Sequence, residues 1–225
     1  MRLKSIALFS LLVLILSCKK NDNTTNPPQN DTYLTSSSGS SWSYHVIDNS
    51  GAVPPSDYTL TATSADTSIS GKSYHIFTNS AGGNQYMTVI GHDYYQFDSL
   101  PTGVSNAIID RLYLKDNVAV GGTWSQNVNV DIPGSTIPIP FTVSNSIAES
   151  GISRTVHGVV YNDVIHVSTQ ISSAFIPPSS LTTSIDTWYA KKYGLIENTS
   201  VVHLDFFGIV QDVNTATTLT AATLK

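Results

Sequence analysis

Tyr58-Thr-Leu-Thr-Ala-Thr63 places Tyr58, Leu60 and Ala62 on one side of an extended chain and three threonines on the other. Successive side chains of a strand point to opposite faces, so this is the pattern of a strand with one face buried and one in water. Trp42-Ser-Tyr-His-Val46 repeats it, with Trp42, Tyr44 and Val46 on the apolar side. Working outward, further strands are expected at Ser73–Thr78, Gln85–Ile90, Asp93–Phe97, Ile108–Leu114, Trp124–Ile132, Ile139–Ile147, Arg154–Tyr161, Val164–Ser172, Ile185–Ala190 and Ser200–Phe207. Turn residues separate them at Asn49-Ser-Gly51, Ser70-Gly71, Gly82-Gly83-Asn84, Lys115-Asp-Asn117, Pro133-Gly134 and Asn162-Asp163. About a dozen short strands at hairpin spacing mean an all-β or mainly β chain built on an antiparallel sheet. The pattern leaves open whether the sheet closes.

Composition agrees. The only glutamates are Glu149 and Glu197, while Ser, Thr, Val, Ile and Tyr abound, so helix formers are scarce and strand formers plentiful.

The amino-terminal segment reads differently. Arg2 and Lys4 precede an apolar run from Ile6 to Leu16, and Ser17-Cys18-Lys19-Lys20 follows. A basic start, an apolar stretch and a small residue before the cut are the parts of a secretory signal. The run is shorter than the roughly 20 residues needed to cross a membrane. Cys18 is the sole cysteine, so no disulfide can form within the chain. Ile15-Leu16-Ser17-Cys18 resembles the lipobox of bacterial lipoproteins, which implies cleavage before Cys18, acylation of that residue (diacylglyceryl and palmitate-type chains) and attachment to a membrane. Each buried methylene of such a chain contributes about 0.8 kcal/mol, so two or three chains anchor firmly. In the Gram-negative proteins of that type, Asp after the cysteine goes with retention at the inner membrane; Lys19 implies the outer membrane, on its periplasmic or its surface face. Lys19 to Asp31 holds no aliphatic or aromatic residue and is expected to be a disordered tether. The expected organisation is residues 1–17 as signal, 18–31 as lipidated cysteine and tether, and 32–225 as one β-rich domain.

That domain carries seven basic against fourteen acidic residues, a net of about −7 with no basic cluster, which argues against nucleic acid as a partner. The six histidines lack metal-site spacing, no nucleophile, phosphate or calcium motif occurs, and no cofactor is expected. Glu149 and Asp186 can be drawn as an acid/base pair, but no spacing fixes their distance, and solvated charge accounts for them. No catalytic residue is assigned.

Gly39-Ser-Ser-Trp42-Ser43 is echoed by Gly121-Gly-Thr-Trp124-Ser125, a glycine turn delivering a tryptophan to the start of a strand. Aromatics on a concave sheet either pack a core or line a pocket. Trp42, Tyr44, Trp124, Trp188 and Tyr189 are the candidate ligand-contacting residues, with core packing the competing reading. Asp131 to Pro140 and Phe175 to Leu181 are apolar for loops and are expected to be rims or lids. Asp98-Ser99-Leu100 matches a loose O-glycosylation tripeptide.

Gly39-Ser-Ser-Trp42-Ser-Tyr44, Val120-Gly121-Gly-Thr-Trp124, Tyr161-Asn-Asp-Val164-Ile165-His-Val167 and Trp188-Tyr189-Ala190-Lys-Lys-Tyr-Gly194-Leu195-Ile196 together resemble uncharacterised Gram-negative envelope lipoproteins with G-x-x-W-x-Y and W-Y-A-x-x-x-G-L-V/I motifs. The resemblance implies a strongly curved antiparallel sheet, a half-barrel or open barrel similar to the Lol-type lipoprotein carriers. The chain departs from those carriers in having no helix to plug the concave face, apart from a turn at Thr102 to Ile109.

Three function classes follow. The first is a non-enzymatic, membrane-anchored protein binding an apolar ligand or lipid. The second is an accessory module meeting an envelope protein partner, and the third an uncharacterised hydrolase.

Overall fold

Period-two burial carries through to the structure, a computed structural model that describes residues 32–99, 108–130, 138–206 and 208–225. Cys18, the signal and the tether lie outside the described residues. So do most of the Thr102–Ile109 turn, the Pro133–Gly134 turn, and Leu100 of the glycosylation tripeptide. The described chain folds into β1 (Ser41–Asp48), β2 (Ser56–Ile69), β3 (Lys72–Asn79), β4 (Asn84–Ile90), β5 (Asp93–Ser99), β6 (Ile108–Lys115), β7 (Thr123–Val130), β8 (Ile139–Val156), β9 (Val159–Ser172), β10 (Leu181–Ala190), β11 (Gly194–Phe206) and β12 (Ile209–Thr223). No helix occurs among the described residues. All twelve strands join one antiparallel sheet in the order β6-β5-β4-β3-β2-β1-β12-β11-β10-β9-β8-β7.

In β8, Ile139, Phe141, Val143, Asn145 and Ile147 are buried and the residues between them are not, the alternation of a strand with one face on a core. Bulges at Ser43/Tyr44, Ala62/Asp66, Tyr94/Tyr95 and Trp188/Tyr189 bend the strands and help the sheet curl.

Two expectations are corrected and one strand was not foreseen. Arg154–Tyr161 is not one strand but the tip of the β8–β9 hairpin. Val156 pairs with Val159 across a two-residue loop in which His157 (φ 48°) and Gly158 (φ 79°) are both left-handed, the geometry of a type I′ turn. Asn162-Asp163 is no turn; Asp163 (φ 53°) sits in an irregularity of β9 between the Arg154–Tyr161 and Ile152–Val164 pairs. Asp tolerates that conformation, so the strand continues past it. β12 was not anticipated, because its run of threonines and alanines is weakly apolar. It lies between β1 and β11, which supply its partners.

The sheet curls until its two edge strands meet. β6 and β7 are joined by side chains. Trp124 Nε1 donates to Leu112 O at 3.0 Å, Gln126 Nε2 donates to Asp110 O at 2.6 Å, and Gln126 Oε1 accepts from Leu112 N at 3.3 Å. The result is a nearly closed barrel, and the free edge of β6 is covered in the manner that edge strands require.

Apolar side chains fill one end. Val130, Phe141, Ile171, Val202 and Leu204 come from the same end of their strands and are capped by Ile176, 4% exposed, in the loop before β10. Towards the other end are Tyr33, Tyr94, Tyr113, Leu114, Ile147 and Tyr189. Here the chain before β1 forms a strap. Lys192 N donates to Thr32 O (2.8 Å), Thr35 Oγ1 to Lys192 O (2.7 Å), and Tyr33 N to Tyr94 Oη (3.1 Å).

Candidate functional site

Between the two packed ends the barrel keeps a cavity of about 230 Å³. It follows from the alternation of the strands: Trp42 and Tyr44 of β1, Tyr58 and Leu60 of β2, Phe77 of β3 and Met87 of β4 turn inward and form an apolar, ring-rich wall. Tyr44 and Tyr58 stack at 5.1 Å, and Trp42 meets Phe77 at 5.9 Å. Tyr33, Leu34 and Thr35 of the strap line it as well.

The opposite wall is polar. Gln96 of β5, Arg111 and Tyr113 of β6, Thr187 and Tyr189 of β10, and Asn198 of β11 face the same space. Arg111 and Gln96 are cross-strand partners, and Arg111 Nη2 donates to Gln96 Oε1 at 3.0 Å. The Arg111 Nε hydrogen meets no acceptor, nor does the buried indole N–H of Trp42. Among the described residues no carboxylate pairs with Arg111, although Lys72, Lys115 and Arg154 each have one.

Three tyrosines of the cavity, Tyr44, Tyr113 and Tyr189, are held neutral. Burial pushes the Tyr44 phenol well above its ordinary value, helped by the neighbouring Tyr58, and its hydroxyl donates to Leu195 O at 3.1 Å. Burial also raises Tyr113 strongly. Tyr189 is pushed up to about 12 by burial, against the opposing pulls of the Arg111 charge and a hydrogen bond with Thr187. At neutral pH these groups are hydrogen-bonding partners rather than proton-transfer agents.

Of the five sequence candidates, Trp42, Tyr44 and Tyr189 line the cavity and two lie elsewhere. Trp124 belongs to the edge seam. Trp188 lies on the opposite face of β10 from Tyr189, where His166 stacks on it at 4.4 Å and the Arg154 guanidinium lies 3.6 Å from its ring centre. On this outer face Glu149 and Asp186 do come together, through His166. Its Nδ1 is 3.2 Å from Glu149 Oε2 and its Nε2 is 2.8 Å from Asp186 Oδ1. Among the described residues no three such groups are placed to hold a metal ion.

Sequence reasoning passed over Arg111, Gln96 and the strap. One signal was available. Ile109, Arg111 and Tyr113 fall on the same face of a strand, so a charged residue interrupts an apolar row.

No protein-family model matches the chain, and no curated protein matches it in sequence. Two crystal structures are similar in shape. One is a candidate lipoprotein of Parabacteroides distasonis, with a TM-score of 0.45 and 12% identity over 85% of this chain and 98% of that one. The other is a candidate exported protein with a YmcC-like fold from Bacteroides fragilis, with a TM-score of 0.46 and 9% identity over 83% of this chain and 96% of that one. Likeness at that level does not carry a function from one chain to another.

Proposed function

We propose that the chain is a lipid-anchored protein of the bacterial envelope, attached through Cys18 to the outer membrane, whose barrel holds an apolar or amphipathic small molecule without chemical conversion. The observation that carries the binding half is the interior cavity, walled by rings on one side and a few polar groups on the other, the usual make-up of a small-molecule site. The anchoring half rests on Arg2, Lys4, the apolar run and Ser17-Cys18. The strap that lines the cavity begins at Thr32, directly after the expected tether.

Native mass spectrometry of the protein extracted from its own envelope, with analysis of the released lipid, tests the binding half. A stoichiometric bound amphiphile is expected. An empty barrel that instead retains an envelope protein favours the accessory-module reading.

A further inference from the structure

Arg111 is partly buried, with its Nε shut off from water, and withdrawing part of a cation from water is costly unless an anion or further acceptors replace the water. Arg111 offers five N–H donors, and among the described residues Gln96 Oε1 is the one acceptor it meets. Gln96, Tyr113 and Tyr189 around it are neutral, and the fourteen carboxylates of the domain supply it no ion pair among the described residues. Trp42, on the apolar side of the same cavity, holds a second buried donor without an acceptor. Among the described residues the cavity therefore holds two buried donors without acceptors and no carboxylate on its lining, while Tyr58, Leu60, Phe77 and Met87 present apolar surface.

We propose that the occupant is a single-chain amphiphile with a carboxylate head, bound by the Arg111 guanidinium beside Gln96, with its hydrocarbon tail against the ring-rich wall. This rests on the binding reading above and sharpens it to a chemical class. A guanidinium matches a carboxylate in a two-pronged fork, and such charge-assisted bonds are about twice as strong as neutral ones. Size sets the scale of the tail. A 150 Å³ cavity accepts benzene, with six heavy atoms, so 230 Å³ accommodates about nine or ten heavy atoms, the size of octanoate.

The test is calorimetric titration of the full chain carrying Cys18→Ala, which removes its own acyl chains as competitors, with octanoate, 1-octanol and acetate. Octanoate is expected to bind at least tenfold more tightly than octanol, with no measurable binding of acetate. Arg111→Met is expected to abolish the preference for octanoate over octanol, while Arg111→Lys keeps part of it. Equal affinity of the unsubstituted cavity for octanoate and octanol overturns the proposal without needing any variant. So does acetate binding as well as octanoate, which marks a site for free anions, or a preference that survives Arg111→Met. If neither octanoate nor octanol binds, the binding reading itself fails. That outcome is separate from a tail that binds without its head.

Discussion

Trp124 and Leu112 lie on the two edge strands of the sheet, and the indole Nε1 of the first donates to the carbonyl of the second at 3.0 Å. With the two bonds of Gln126, this makes a seam in which side chains replace a backbone ladder. Side-chain bonds are fewer and longer in reach than ladder bonds. The seam is therefore the place where the barrel has least to lose by opening.

Gln126→Leu removes two seam bonds and leaves the Leu112 N–H and the Asp110 carbonyl without them. A loss of about 1–3 kcal/mol is expected in urea denaturation. Hydrogen exchange at the Leu112 amide should accelerate while amides in β9 and β10 keep their protection. Unchanged exchange at Leu112 would show that the seam is held by packing.

Gly194 sits at φ 70°, and a Cβ built there lies 3.2 Å from Tyr33 O. Gly194→Ala should cost about 1–2 kcal/mol through its left-handed backbone and shift the strap. The Lys192 amide, which donates to Thr32 O, reports that shift by faster exchange. An unaltered melting temperature would contradict the fit described for the strap.

Tyr189 has a folded value of about 12 against 10.0 for the free phenol, so the folded state favours its neutral form. Such a group contributes fully below pH 10, and its contribution is lost as pH rises from 10 towards 12. Two units correspond to about 2–3 kcal/mol. Tyr189→Phe, read by urea denaturation at several pH values, should make the fall in stability between pH 10 and 12 shallower. An identical slope in both proteins counts against this.

Cys18→Ala should release the protein from membrane pellets into the soluble fraction, since a short apolar signal does not replace acyl chains as an anchor. Continued pelleting of the variant would contradict the lipobox reading.

The strands were legible wherever one face meets the core and the other meets water, as in Trp42-Ser-Tyr-His-Val46 and Tyr58-Thr-Leu-Thr-Ala-Thr63, because period two is imposed by that boundary. It failed at β12, where threonine and alanine leave little contrast between the faces, and at His157-Gly158, where the left-handed turn had no asparagine to announce it. The echo of Gly39 and Gly121 was real in geometry. Gly39 (φ 84°) donates to Ala62 O at 2.9 Å and Gly121 (φ 83°) to Ile147 O at 2.8 Å, so each glycine ties the approach to its tryptophan's strand onto a neighbour. Half-barrel against barrel was not legible, since closure depends on Gln126 and Trp124 reaching across a gap that no local pattern encodes. At the site, Trp42, Tyr44 and Tyr189 could be named as aromatics. Which face of β10 would carry Trp188 and which Tyr189 depended on the bulge between them.

The central claim, that the barrel interior is the binding site, is tested most directly by filling it. Thr217 of β12 lines the cavity with a small side chain. Native mass spectrometry of the protein extracted from its own envelope should show a bound small molecule on the unsubstituted chain and none on a folded Thr217→Trp variant. Equal occupancy in the two proteins would contradict the account.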